Sequence, residues 1–230
     1  RDAIEEPVDT KPQTKRSKVF AGEYMMIVVS IVTALALENG VRYLHQAREA
    51  QEAARNLDAE IALNLAEVHT EVLENEAEIK RLKHLREVLL KDILAGVSDK
   101  EALKHVMLEA KMQFNVSFSA PTLQREAWDV AVANQALSFM PQAQLQRYAK
   151  VYSRMRDMQT GFQSMTNSFA DLPQLSDTMS NLELKEISPQ ALYRTFTQMS
   201  FVHESNLNNM RSLEKMLREE QQRSVKLAKG

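Results

Sequence analysis

Glu101, His105 and Glu109 stand at i, i+4 and i+8. On a helix this spacing puts a carboxylate, an imidazole and a second carboxylate on one face, a donor set suited to a divalent cation. Lys104 and Lys111 lie beside them, and the preferred reading is a solvated charged face. Other chemistry-bearing patterns do not form. The residues three before the five histidines are Arg42, Ala66, Arg81, Ala102 and Ser200, so the Glu-x-x-His pattern of helical di-iron sites is absent. H-E-x-x-H is absent as well. The five glycines are isolated, whereas a phosphate-cradling loop needs them clustered. With no cysteine there is no thiol nucleophile, disulfide or cysteine-ligated zinc. No catalytic, cofactor-binding or metal residue is therefore assigned, no cofactor is expected, and the expectation is a protein that is not an enzyme. A net charge of −2 gives no reason to expect nucleic acid as a partner.

A few single residues remain. His203 and Asn206 interrupt an apolar stripe and read as polar pins that fix helix register, or as the lining of a small pocket. Trp128, Tyr148 and Tyr152 read as core residues before they read as a ligand-binding aromatic box. Glu23 is the one charge in a long apolar stretch, where an ionisable group is a functional suspect, although its place near the edge favours simple snorkelling. Asn115-Val116-Ser117 fits a glycosylation sequon, which means little in a bacterial context.

The elements that must carry these residues are helices. Five glycines and six prolines in 230 residues leave little punctuation, and the abundant residues are strong helix formers. Residues 1–18 are polar, contain Pro7 and Pro12, and read as a flexible tail. Val19–Leu37 follows with Glu23 as its only charge. Nineteen residues at about 1.5 Å each reach about 28 Å, close to the hydrocarbon thickness of a bilayer. Phe20 and Tyr24 flank one end, and Arg42, Tyr43 and His45 the other, as at two membrane interfaces. A buried core helix, a signal peptide ending at Ala34-Leu35-Ala36 and an interfacial helix are the alternatives; the last lacks a polar face. Lys15, Arg16 and Lys18 crowd the N-terminal flank, which favours a cytoplasmic N-terminus and an extracytoplasmic C-terminal domain. In a bacterium this means the inner membrane and the periplasm.

From residue 38 to 95 no proline intervenes, and the helix is expected to continue out of the bilayer. Ile61, Leu65, Val68, Val72, Asn75, Ile79, Leu82, Arg86, Leu89 and Ile93 step 4,3,4,3, a heptad-like seam broken by Asn75 and Arg86. Gly96 suits a left-handed C-cap and Ser98-x-x-Glu101 a capping box, predicting a helix from Ser98 to about Met112. Residues 113–121 read as a loop and 122–139 as a short helix. Pro141 opens a helix striped by Leu145, Tyr148, Tyr152, Met155, Phe162, Met165 and Phe169, which Pro173 ends. Ser188-Pro189 opens the last helix, with its seam at Leu192, Phe196, Met199, His203, Asn206, Met210, Leu213 and Leu217. The expected fold is all-α: a transmembrane helix (19–37) running into a long coiled-coil-like helix, packed in an antiparallel helical bundle over 38–230.

GEYMMIVVSIVTALALENGVRYLHQAREAQEAARNLDAEIALNLAEV resembles the start of a group of uncharacterised bacterial single-pass membrane proteins. The shared elements are Glu23-Tyr24, Ala34-Leu35-Ala36-Leu37, Glu38-Asn39 and Glu60…Asn64, followed by a Trp-containing and a Tyr-containing helix similar to 127–152. The resemblance implies a membrane anchor with a helical extracytoplasmic domain, and no chemistry. The expected function is a non-enzymatic, membrane-anchored accessory or scaffold subunit. Its partners would be membrane lipid and other subunits of a membrane complex or further copies of itself; the long stripes need covering, from the same chain, from copies of it or from a larger membrane complex. The alternative is a sensor-like ligand-binding bundle, against which stands the short stretch of about 18 residues before the span.

Overall fold

The structure is a computed structural model that describes residues 14–111, 119–170, 177–178, 180–181, 184 and 186–227. Among them every regular element is helical. Helix α1 runs unbroken from Thr14 to Leu94 over 81 residues, about 120 Å at the usual helical rise. It starts inside the stretch expected to be tail and passes through the apolar segment without a break. Four further α-helices follow: α2 (Asp99–Glu109), α3 (Glu126–Ala133), α4 (Gln142–Ala170) and α5 (Pro189–Leu227), with a 3₁₀ turn at Ala136–Phe139.

The local signals act where expected. Gly96 takes φ +68°, and the Val97 amide donates back to the Asp92 carbonyl at 3.1 Å, which closes the end of α1. Ser98 Oγ accepts from the Glu101 amide and caps α2. Ser188 Oγ accepts from the Ala191 amide at 3.2 Å, and Pro189 begins α5. Pro141 sits one residue before α4, its carbonyl accepting from the Leu145 amide. α2 ends at Glu109, short of Met112, as the chain turns left-handed at Lys111. The expected helix 122–139 is the largest departure. Residues 122–125 are not helical, and Gln135, at φ 58°, separates α3 from the 3₁₀ turn. The sequon at 115–117, Phe169's side chain and Pro173 lie outside the described residues.

Contacts fix the directions. Lys83, Glu76, His69 and Asp58 of α1 meet Glu204, Arg211, Glu214 and Ser224 of α5 in turn, so the two helices are antiparallel. Tyr148 reaches Asp58 and Tyr152 reaches Glu60, so α4 runs parallel to α1. It can do so because residues 119–127 return along α1, from Asn75 past Asn64 to Glu60.

The apolar seams close on one another. All eight α5 seam positions are buried, as are those of α1 except Arg86 and Ile93, which are half-buried. The three stripes bury one another as expected: α1, α4 and α5 cover them within one chain. A larger core gathers Leu57, Ile61, Val68, Tyr148, Phe162 and Leu213, and a second, farther along α1, gathers Leu82, Leu85, Leu89, Val106, Phe196 and Met199. Among the described side chains the first buried one is Ala50.

Before Ala50, α1 stands apart. Its apolar part is long enough and apolar enough to cross a membrane, and none of that window is buried. Tyr24, Met26, Ile31, Leu35 and Leu37 are all more than half exposed. Ser30 and Thr33 fold their hydroxyls onto the carbonyls of Met26 and Val29, both at 2.8 Å, the same i−4 bond that Thr70 and Thr160 make in the bundle.

Leu213 and Leu57 are almost fully buried, so Leu213→Ala and Leu57→Ala should each cost about 2–5 kcal/mol of bundle stability. Leu35→Ala should leave it unchanged. Denaturant titration in detergent, followed by circular dichroism, checks both.

Candidate functional site

The residues grouped by the sequence pattern on α2 are separated by their pairings. His105 Nδ1 meets Asp92 of α1 at 2.9 Å. Glu109 meets His84 of α1 at 3.1 Å. Glu101 belongs to the cap at Ser98. The face is exposed, as expected, and two of its three residues reach α1 from that side; Ala102 and Val106 of α2 and Ala110 at its C-cap are buried, and no three histidine or acidic side chains converge among the described residues.

What the fold does assemble is a polar and aromatic clamp on α1. Glu60 and Asn64 lie one helical turn apart on the face that also carries Leu57 and Ile61, and all four are buried. Asn64 pairs with the backbone of Gln124 in both directions, donating from Nδ2 to its carbonyl and accepting its amide at Oδ1, each at 2.8 Å. An amide side chain thereby does for the return segment what a neighbouring strand does in a sheet, and it keeps residues 122–125 out of helix. Gln159 of α4 accepts the next amide, from Leu123, at 3.1 Å.

Glu60 then starts α3. The N-cap residue Arg125 makes no side-chain cap; instead Glu60 Oε2 accepts the Ala127 amide at 2.8 Å. A carboxylate from another helix thus satisfies an orphan N–H at the positive end of the α3 dipole. The other oxygen accepts the Tyr152 hydroxyl at 2.7 Å. Both carboxylate oxygens are engaged by the chain itself. The ring of Tyr152 stacks on Trp128, centroids 5.0 Å apart. One helical turn earlier, Tyr148 donates to Asp58 at 2.8 Å. Asp58 also accepts from Ser224 of α5 at 2.7 Å, and Arg147 pairs with Glu220 of α5 at 2.8 Å. α1, α3, α4 and α5 are therefore tied at one level.

Burial pushes both phenols up, and their carboxylate acceptors push them further: Tyr148 to about 12, Tyr152 higher. Burial also raises the Glu220 carboxyl, with Arg147 opposing. These hydroxyls are donors held in place, poor as proton-transfer groups near neutral pH.

A second polar layer lies toward the end of the larger core that faces the smaller one, with Val72 and Ile79 on either side of Asn75. Asn75 Oδ1 faces His203 Nδ1 at 3.1 Å and Asn206 Nδ2 at 3.4 Å. Asn206 also donates to the Ser119 carbonyl at 3.1 Å, while Ser119 Oγ donates to Glu71. Glu78 and Arg81, paired at 2.7 Å, lie close to His203. Burial holds His203 below its ordinary value, and the two charges partly offset each other. Arg86, the other break in the α1 seam, stands 5.5 Å over the Tyr193 ring.

Between α1 and α3, beside the clamp, runs an open groove of about 710 Å³ lined by Glu49, Glu52, Asn56, Glu126, Val130 and Asn134 among others. The sequence reading kept Trp128, Tyr148 and Tyr152 as core and was right to expect His203 and Asn206 in a seam, but it did not see that Asn75 joins them or what Glu60 and Asn64 do. An acid and an amide four apart on an apolar face were the available signal. Asp58, Arg147 and Glu220 flank the stripes and carry none. Comparison with family models, curated proteins and solved structures returns no match of any kind.

Two outcomes follow. A phenol whose pKa is higher folded than unfolded holds its proton better in the folded state, so its stabilisation is full below about pH 10 and is lost as pH rises past it. Tyr148 and Tyr152 should therefore stay protonated until alkaline unfolding, and the double change to Phe should remove that share of the pH dependence; phenolate absorbance reads both. His203 is the converse: with a lowered folded pKa, its contribution is present above about pH 6.5 and lost as pH falls below it. His203→Asn should flatten the loss of melting temperature between pH 7 and 5.

Proposed function

We propose that this chain is a non-enzymatic, membrane-anchored accessory or scaffold subunit. On this reading the apolar part of α1 crosses a bacterial inner membrane with its N-terminus in the cytoplasm, and the bundle projects into the periplasm. One observation carries it: a single unbroken helix is uncovered and apolar over residues 24–37, and from Ala50 onward forms the spine of a closed bundle. Exposed residues of this size on a rod continuous with a folded domain are at rest in lipid. The basic residues at 15, 16 and 18 favour the orientation, and the resemblance to bacterial single-pass proteins agrees with it.

The clamp and the Asn75 layer support a structural role for the polar residues, since their hydrogen bonds run within the chain. A bundle closed on itself, standing on a stiff helix, holds its outer surfaces at a set height above the bilayer, which is what a scaffold subunit needs. The groove between α1 and α3 supports a second reading, a sensor-like bundle that binds a small ligand beside the membrane.

Native detergent extraction followed by mass analysis separates the two. The scaffold reading expects the chain to travel with other membrane subunits or with copies of itself. A lone monomer whose melting temperature rises with a small molecule, and loses that rise in Glu126→Ala, would transfer the proposal to the sensor reading.

A further inference from the structure

We propose that the turn joining α3 to α4, with Phe139 at its tip, rests on the bilayer surface as a second membrane contact beside the α1 span. This rests on the reading of α1 as the anchor. The turn belongs to the end of the bundle nearest the apolar segment. Phe139 lines an open crook with Leu37, Val41, Arg42, His45 and Glu49 of α1, whereas Tyr148, in the second turn of α4, already stands at Ala54–Asp58. Phe139 is therefore beside the stretch of α1 that leaves the membrane.

The uncovered apolar character of α1 does not stop at Leu37. Val41, Tyr43 and Leu44 remain more than half exposed. From Leu37 to Leu44 the helix rises about 10 Å, slightly more than the roughly 5–8 Å that headgroups add to each side of the hydrocarbon. This stretch carries Arg42, held to Glu38 at 2.6 Å, and Tyr43, the residue types that favour the interface. Phe139, half-buried against the larger core, lines the crook beside this stretch and adds a second aromatic. An apolar surface continuous with a lipid-exposed helix, at headgroup depth, fits phospholipid rather than water. The partner is thus the glycerol and headgroup layer of the bilayer that α1 crosses. Two contacts, one spanning and one resting, fix the tilt of the bundle.

The chain has no cysteine, so single cysteines can be placed at will. Val29→Cys, Phe139→Cys, Ser138→Cys and Leu94→Cys are spin-labelled in the full chain, reconstituted in vesicles of phosphatidylethanolamine and phosphatidylglycerol. Leu94, 79% exposed, is about 85 Å along α1 from Leu37. Relaxation by oxygen, which partitions into lipid, is compared with relaxation by a water-soluble nickel chelate. The expected result is an oxygen-to-nickel ratio at 139 several-fold above that at 94, approaching the ratio at 29. Position 138, exposed beside it, gives the same reading should the change at 139 disturb the fold. If 29 reads as lipid while 138 and 139 both match 94, the surface contact is wrong and the anchor stands. If 29 reads as water, the anchor is wrong and the contact goes with it. Labels at 138 and 139 shielded from both reagents would overturn the proposal in favour of a second protein chain over the turn.

Discussion

Burial of the α1 seam against α5 is the interaction on which the other elements lean. It runs through one core that holds Ile61, Leu65 and Val68 of α1 with Leu213 and Leu217 of α5, and through a second that holds Leu82, Leu85 and Leu89 with Leu192, Phe196 and Met199. Each fully buried Leu contributes about 1.5–3 kcal/mol relative to exposure, and a seam this long sums many such terms. A seam of similar residues at heptad spacing has several near-equivalent registers. The Asn75, His203 and Asn206 layer removes that freedom. Sliding either helix by one heptad would oppose these groups to apolar side chains, each buried polar group then costing about 1–3 kcal/mol. The layer lowers the apolar content of the core and in exchange selects one alignment.

With α1 and α5 fixed, the middle of the chain must return along α1 as extended backbone, buried on one side. Extended backbone without a neighbouring strand leaves donors and acceptors unpaired. α1 supplies the missing partners through side chains: Asn75 at Ser119, Asn64 at Gln124, Glu60 at Ala127. The long helix serves as a template whose buried polar residues are spaced to the return segment. The same contacts set the start of α3, and α3 places Trp128 on Tyr152, which in turn aligns α4.

The apolar and bundled parts of α1 share one hydrogen-bond ladder, with no proline between Thr14 and Leu94. A helix in this state is stiff on the scale of a domain, so the position of the bundle follows the direction in which the apolar part points.

Much of the architecture was legible in the sequence because it follows from local rules: the unbroken apolar helix from an uninterrupted apolar run, the helix ends from Gly96, Ser98 and Ser188, the seams from 3,4 spacing. Those features depend on neighbours within about one heptad. The use of Glu60, Asn64 and Asn75 was not legible, nor was the breaking of 122–139 into extended chain, α3 and a 3₁₀ turn, because the deciding hydrogen bonds join residues about 40 to 130 positions apart. The same is true of α2, where a pattern fit for a cation is drawn apart by Asp92 and His84. Local chemistry determined which segments are helical and which face of each is apolar; only the packed chain decided which polar groups on those faces are buried, since a hydrogen bond across space leaves no period in the sequence.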